Sequence, residues 1–555
     1  MMHILNGKSL LIRSCFLYFL CLSLSLAAAG GYAQTENRVA KAAETDAEEI
    51  IKQGQQFENQ GQWSDALTLY QQALREIPNH PQLSQQRSLA RIHFDIERRY
   101  ADSSFIHQVK QTPPKIAEGV YGEVLLKIQS YYVDEPNWND IARYGLTALK
   151  FALESPEFRD QHLQGVSLER IKDAFNSLTG SLKRVTVQKR VDANWVATQS
   201  AKLLRETIDL PEQATYMEFV CGAIAVLDPY SAYLSDTQYG ETMSQIEGNF
   251  VGLGVELKSE ADHLALVSVI RGGPAEAGGL KAGDKITHVD QKSIATHGGE
   301  KCADLLRGEE GSTVQVTITR GSSAPQSLRL QRRRVDIPSV ETVEMIDKAT
   351  GIGYIRVANF QKTTIRDFDA ALWSLQRQGM RSLIVDLRGN PGGLLTASVE
   401  MADRFVGNGV LVATKGRNPL EDFTHRAELA GTWRMPLFVL IDENSASASE
   451  IFAAAIRDHG RGKIIGTQSY GKGSVQGIFP LNISGGGVRL TTAKFYGPAG
   501  ESINLVGVKP DVEVQTVARP DFSESRLLLE NDNVLQTAIS YAKQNGPAQN
   551  AVSAK

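Results

Sequence analysis

Beyond Asp336 the chain alternates short apolar runs with helix-length amphipathic segments. The order is GIGYIRV, a helix at 365–379, SLIVDL, a helix at 394–406, LFVLID, a helix at 446–460, then KIIGT. Few folds accept that pattern. Short apolar strands joined by helices form a largely parallel sheet with right-handed crossovers, buried on both faces. The loops after its strands gather on one edge, and an open α/β sheet holds its site there. Three loops meet that condition: Arg388 to Gly393 (RGNPGG), Asn444 to Glu450 (NSASASE) and Gln468 to Gly473 (QSYGKG). A nucleophile, a base and a turn rich in backbone amides are thereby expected side by side, although 79 residues separate Gly393 from Lys472.

Ser445, Ser447 and Ser449 all stand at the start of the helix through IFAAAIRDHG. One of them could simply cap it. The small alanines between them leave room for a substrate, and the helix N-terminus offers free N–H groups to a developing oxyanion. The candidate bases separate by geometry. His459 lies 12 residues beyond Ser447 on the same helix, about 18 Å away at 1.5 Å per residue. Lys463 opens the next strand, on the wrong edge of the sheet. That strand then returns, and the nine residues from Lys463 to Lys472 span about 30 Å when extended, which carries Lys472 back to the serines. A lysine in a dry pocket loses proton affinity and can serve as a neutral base, and Ser–Lys pairs are a known variant of triad chemistry.

The remaining segments differ in periodicity. From Asn249 to Asp336 short β runs (VGLGVEL, HLALVSVI, KITHVD, TVQVTITR) are broken by Gly, Pro and Asp, with helical inserts in AEAGGLKAGD and GGEKCADLLRG. Residues 117–245 carry helical spacing of apolar positions. Between 47 and 80, Gly54, Phe57, Gly61, Ala66, Tyr70, Ala73 and Pro78 fall at the spacings of a 34-residue helix–turn–helix unit, resembling one tetratricopeptide repeat. A lone repeat cannot bury its own face, so LSQQRSLARIHFDIERRY is expected to pack on it. Residues 1–33 read as an export signal: Lys8 and Arg13, the apolar run SCFLYFLCLSLSLAAA, then small residues at Gly31 and Ala33. The alternative for this segment is a retained membrane anchor, since 22 uncharged residues from Ser14 to Thr35 could just span a bilayer. Cleavage after Ala33 takes the net charge from −4 to −6 and leaves Cys221 and Cys302, expected as free thiols.

Several motifs together resemble the carboxyl-terminal processing peptidases, or tail-specific proteases. They are LDPYSAYL at 227–234, the RGNPGG turn, SASASEIFAAAIRDHGRGKIIGTQSYGKGSVQ and AKFYGPAGESINLVGVKPDVEV, and the likeness runs from about 120 to 545. The resemblance implies a crotonase/ClpP-like α/β catalytic core, a PDZ β-sandwich-like domain and N-terminal all-α regions. It implies an exported serine endopeptidase, periplasmic or extracytoplasmic, that cleaves proteins near their C-termini. The 25-residue spacing to Lys472 then selects Ser447 as nucleophile with Lys472 as base. Gln476 would orient the lysine, and Gly393 and Ala448 would supply oxyanion-hole amides. In GLGV, the amides of Leu253, Gly254 and Val255 would hold the substrate's terminal carboxylate while the tail extends a sheet edge. In some members the PDZ domain gates the catalytic site. Glu501 stands where many relatives carry a basic residue.

The expected segments are a signal at 1–33, a helical repeat at 47–100, a helical region at 117–245, a PDZ domain at 246–335, the catalytic core at 336–521, and a closing helix and tail at 522–555. Expected partners are protein or peptide substrates with free apolar C-termini, an adaptor protein on the helical repeat, and further copies of the chain. A membrane is met only through an uncleaved signal. Near-neutral charge without a dominant basic block argues against nucleic acid. No metal or cofactor is expected: there is no HExxH and no paired cysteine ligand set. The run Gly466 to Lys472 lacks the Ser or Thr a phosphate loop needs next, having Gly473 there. The competing class is a catalytically inert scaffold whose PDZ and helical modules recruit peptides.

Overall fold

The computed structural model describes residues 46–77, 80–260, 262–270, 272–428, 433–516 and 532–544. The export signal at 1–33 and Pro78 of the repeat pattern lie outside the described residues.

Three helices open the described chain: α1 (46–59), α2 (Trp63–Glu76) and α3 (Pro81–Ala101). Ala66 and Tyr70 of α2 share one core with Leu83 and Ala90 of α3. So α3, the LSQQRSLARIHFDIERRY segment, covers the hairpin's apolar face. Its far end reaches the next layer, built on α4 (Pro114–Tyr131), α5 (Trp138–Glu154), α6 (Arg190–Ile208) and α7 (Glu212–Ala225). There the Arg99 guanidinium pairs with Glu218 of α7, which is fully buried, and Tyr100 Oη donates to the same carboxylate at 2.9 Å. Cys221 and Cys302 are free.

A strand β1 (Ala232–Leu234) and a helix α8 (Asp236–Glu247) lead into the β-rich region. The run VGLGVEL, expected as one strand, is two. β2 (Asn249–Gly252) pairs antiparallel with β8 (Arg333–Asp336) as a neck. β3 (Val255–Ser259) begins a separate sheet. Gly254, at φ +77°, breaks the run, because a left-handed residue cannot continue a strand. The second sheet continues through β4 (Leu264–Val269), β5 (Lys285–Val289), β6 (Thr313–Thr319) and β7 (Gln326–Gln331), all antiparallel, with β3 at its edge. The helix α9 (Gly299–Asp304) belongs to this unit.

The third region is the α/β layer. β9 (Val340–Asp347) runs antiparallel to β10 (Ile352–Val357). β11 (Ser382–Asp386), β14 (Leu437–Ile441), β15 (Lys463–Gly466) and β18 (Val512–Glu513) then follow β10 in parallel. Every residue of β10, β11 and β14 is buried, as apolar strands covered on both faces must be. One face is packed by α10 (Thr364–Arg377), α11 (Leu395–Asp403) and α12 (Ala448–Asp458). The other is covered by α13 (Asn533–Gln544), through Val534, Leu535 and Ala538. A second, antiparallel sheet stands beside this layer: β12 (Val410–Gly416), β13 (Phe423–Arg426), β16 (Ser474–Pro480) and β17 (Gly487–Tyr496), with β1 on the far edge of β17. The sequence pattern reads as a short β tail after KIIGT, which covers β16 and β17 but not β12 and β13. Two of the four pairings, β1 with β17 and β12 with β17, join distant segments, which local periodicity cannot register.

Candidate active site

The three expected loops meet. Gly389 N–H donates to Asp442 Oδ1 at 2.9 Å, Ala446 N–H to the Asn390 carbonyl at 3.0 Å, and Tyr470 N–H to the Ser445 carbonyl at 3.0 Å. They border a cavity of about 780 Å³ whose wall includes Gly393, Ser447, Lys472 and Gln476.

The environments of the three serines differ. Ser445 and Ser449 are fully buried. Ser445 Oγ donates to the Leu387 carbonyl at 2.8 Å and Ser449 Oγ to the Asn390 carbonyl at 3.0 Å. Both tie the helix start to the RGNPGG turn. Ser447 alone of the three borders the cavity. Its backbone is strained, with φ +54° and ψ −113°, a conformation that costs roughly 1–3 kcal/mol for a non-glycine residue and persists only where the surroundings enforce it. Glu450 does the enforcing: its buried carboxylate accepts the Ser447 N–H at 2.8 Å.

Glu450 also accepts from Ser469 Oγ at 2.6 Å, Gly471 N–H at 2.7 Å and Lys472 N–H at 2.9 Å. One carboxylate thus clamps the Ser447 turn to the Lys472 loop. Burial raises its pKa above the usual carboxylate range, and the four hydrogen bonds oppose that rise. The sequence reading passed over Glu450. The signal available was the Ser-x-x-Glu spacing of a capping box, at 447–450.

The glycine turn is equally constrained. Phe360 N–H donates to the Gly392 carbonyl at 2.9 Å, and Leu394 N–H to the Phe360 carbonyl at 2.8 Å. A Cβ on Gly393, at φ +138°, would lie 2.0 Å from the Phe360 carbonyl oxygen, so no side chain fits. Asn390 Nδ2 donates to Val357 O and its Oδ1 accepts from Gly392 N–H, each at 2.8 Å. Behind the turn, the buried Arg388 guanidinium holds both Asp386 and Asp532, tying in the residue before α13. Its charge keeps the Asp386 carboxyl below the usual range despite full burial. Among the described residues the Gly393 and Ala448 amides donate to no protein acceptor. A Cβ on Gly392 would lie 2.9 Å from Ala448 N, so the turn sits against the start of α12.

Burial lowers the proton affinity of Lys472, and repulsion from Arg489 adds to this, while Glu450 and Asp228 oppose it. Its Nζ stands 5.1 Å from the ring centre of Tyr230. Gln476 shares the cavity wall, but its Nε2 is directed to Ser474 Oγ at 2.9 Å and Thr491 Oγ1 at 3.4 Å, not to the lysine. His459 and Lys463 stand at the opposite end of α12. His459 follows its last residue, with Nε2 2.7 Å from the Val410 carbonyl, and Lys463 is the first residue of β15.

At the GLGV turn, Leu253 is buried with its carbonyl accepting from Ala275 N–H at 2.8 Å, and the Gly254 carbonyl accepts from Ile270 N–H at 2.9 Å. Among the described residues the Leu253 and Gly254 amides have no acceptor. Val255 starts β3, whose outer edge has no partner strand among those residues. The helix α8 joins this unit to the α/β layer: Lys362 N–H donates to the Ile246 carbonyl at 3.1 Å, and Thr242, Gln245 and Ile246 border the cavity of Ser447.

Residues 351–514 match the sequence model of peptidase family S41, and residues 243–319 match that of the PDZ domain. The carboxy-terminal-processing protease of Bartonella bacilliformis is 37% identical over 315 residues, covering 56% of this chain and 71% of that protein. A probable CtpA-like serine protease of Staphylococcus epidermidis is 32% identical over 306 residues, covering 55% of this chain and 60% of its own length. The match to the staphylococcal relative therefore spans about three fifths of that protein. Among solved structures, the photosystem II D1 C-terminal processing protease aligns with a TM-score of 0.39 at 26% identity, covering 72% of this chain and 93% of that one.

Proposed function

The chain belongs to peptidase family S41, among the carboxy-terminal-processing serine proteases with a PDZ domain, and from that premise we propose that Ser447 and Lys472 are its catalytic dyad. The observation that carries the proposal is the Glu450 clamp, which holds a strained, cavity-facing serine and a lysine of lowered proton affinity on one network. Neutral Lys472 takes the Ser447 proton as Oγ bonds to the scissile carbonyl carbon. The Gly393 and Ala448 amides receive the oxyanion. As the C–N bond breaks, the lysine ammonium returns its proton to the departing amine. Water, deprotonated by the same lysine, then releases the acyl group. Gln476 fixes Ser474 at the start of β16, two residues beyond the lysine.

The PDZ unit is the reader of the substrate's free, apolar C-terminus, with the Leu253, Gly254 and Val255 amides at the carboxylate and β3 pairing with the tail. Because α8 both enters this unit and walls the cavity, movement of the reader would reshape the catalytic site. Export is supported by the charged, apolar, small-residue order of residues 1–33, and the hairpin α1–α2 is the surface for an adaptor. Among the described residues no helix is long and apolar enough to cross a membrane.

Hydrolysis of a peptide with an apolar free C-terminus by the unmodified chain, Ser447→Ala and Lys472→Ala tests the dyad. Each variant should lose at least about 10⁴-fold in kcat. Undiminished cleavage by either would remove that residue from the mechanism. Tight peptide binding with no cleavage by the unmodified chain would favour the inert scaffold.

A further inference from the structure

We propose that Arg489 is a specificity-determining residue of the catalytic cavity, receiving a carboxylate of the substrate beside Ser447. The inference rests on the peptidase reading of that cavity. Arg489 lies on β17 and borders the same cavity as Ser447 and Lys472. Its Nε donates to the Tyr230 carbonyl at 2.9 Å. Among the described residues its two terminal nitrogens reach no acceptor, and no carboxylate forms an ion pair with it.

The acid that acts on it, Asp228, is already engaged. Asp228 Oδ1 accepts from Tyr230 N–H at 2.7 Å and Ser231 N–H at 2.9 Å, and its Oδ2 from Ser231 Oγ at 2.7 Å. Arg91 and Arg98 of α3 repel it, Arg91 being itself paired with Asp95, and Lys472 lies against the ring of Tyr230, the residue whose carbonyl Arg489 holds. Half-burial without a counter-ion disfavours a guanidinium that cannot give up its proton. A substrate carboxylate would supply the missing charge through two parallel N–H···O bonds, the geometry a guanidinium's free edge offers. The source is either an acidic side chain near the scissile bond or the terminus of a short tail.

A second consequence separates this role from a structural one. Lys472 feels Arg489 as a repulsive charge and Glu450 and Asp228 as attractive ones. A carboxylate on Arg489 cancels the repulsion, so Lys472 then holds its proton more tightly. The pH–rate curve of a carboxylate-bearing peptide should therefore lie alkaline of the curve for its neutral counterpart. Arg489→Gln should move both curves alkaline and bring them together.

Three peptides of one apolar sequence test the proposal on the full chain: amidated and neutral, amidated with a glutamate flanking the scissile bond, and neutral with a free C-terminus. Binding is read by fluorescence anisotropy at low ionic strength on Ser447→Ala/Gly254→Val, where no chemistry intervenes and the PDZ turn is blocked to a terminal carboxylate. At least one carboxylate peptide should bind about tenfold more tightly than the neutral amide, the weight of a charge-assisted pair. In that background the advantage should vanish on Arg489→Gln and return in part on Arg489→Lys, which also controls for folding. A response to the glutamate peptide identifies a side chain as the source; a response confined to the free terminus identifies the tail. An advantage that survives Arg489→Gln, or none for either carboxylate peptide, overturns the inference. Failure of the dyad would appear instead as turnover undiminished by Ser447→Ala, and would leave this comparison intact.

Discussion

Two glycine-containing turns in this protein carry amides without an acceptor among the described residues, and they are held very differently. The RGNPGG turn is fixed from every side. Asn390 spans it, Phe360 pairs with it, and buried Arg388 ties it to Asp386 and Asp532. The GLGV turn is held mainly by two carbonyl bonds, from Ala275 and Ile270, at the end of an edge strand. The chemistry proposed for each turn explains the contrast. An oxyanion exists only in the transition state, so its donors must be in place beforehand. A terminal carboxylate is charged throughout, and a reader of varied tails can adjust to it.

The largest effect is expected at Gly393. Gly393→Ala puts a methyl where the Phe360 carbonyl stands, and kcat should fall about 10²–10³-fold, as for loss of an oxyanion donor. Normal kcat in steady-state assays would show that the turn is not rigid. Next comes stability. Arg388→Met leaves two buried carboxylates without their cation, and urea denaturation should show a loss of roughly 3–5 kcal/mol. A smaller change would mean that the network contributes little to holding the turn.

The reader should respond more gently. Gly254→Val adds a side chain at φ +77°, where the nearest obstacle is the Val335 Cγ1 methyl at 3.2 Å rather than backbone. KM for a free-tailed peptide should rise about tenfold, while kcat for a short amidated peptide stays the same. A fall in kcat for both would mean that the two turns are rigidly coupled.

The smallest effect is a pH shift. The rate should rise as Lys472 loses its proton, with a midpoint below the ~10.4 of free lysine, because burial and Arg489 lower its affinity. Asp228 opposes that lowering. Asp228→Asn should therefore move the midpoint to lower pH, by less than about one unit. A pH–rate profile that moved the other way would contradict the assigned charges.

Much of the catalytic layer was legible in the sequence because it is written in local periods. The runs GIGYIRV, SLIVDL and LFVLID became β10, β11 and β14 of a parallel sheet, and their loops met on one edge. In the antiparallel sheet, β16 and β17 fall after KIIGT, where the pattern reads as a short β tail, whereas β12 and β13 have no counterpart in the local pattern; VGLGVEL reads as one strand and is two. Strand pairing between distant segments leaves no local period, and a single left-handed glycine cuts a run that β propensity would join.

By itself the sequence determined the parallel sheet, the edge on which its loops gather, and the exclusion of His459 and Lys463, since helix rise and strand length are local geometry. Only the tertiary structure decided which hydroxyls are spent on backbone carbonyls. It buried Ser445 against Leu387 and Ser449 against Asn390, and left Ser447 on the cavity. It also gave Glu450 its four donors and left Arg489 without a carboxylate partner among the described residues. Burial and hydrogen-bond satisfaction depend on residues far apart in the chain, so no spacing rule can state them.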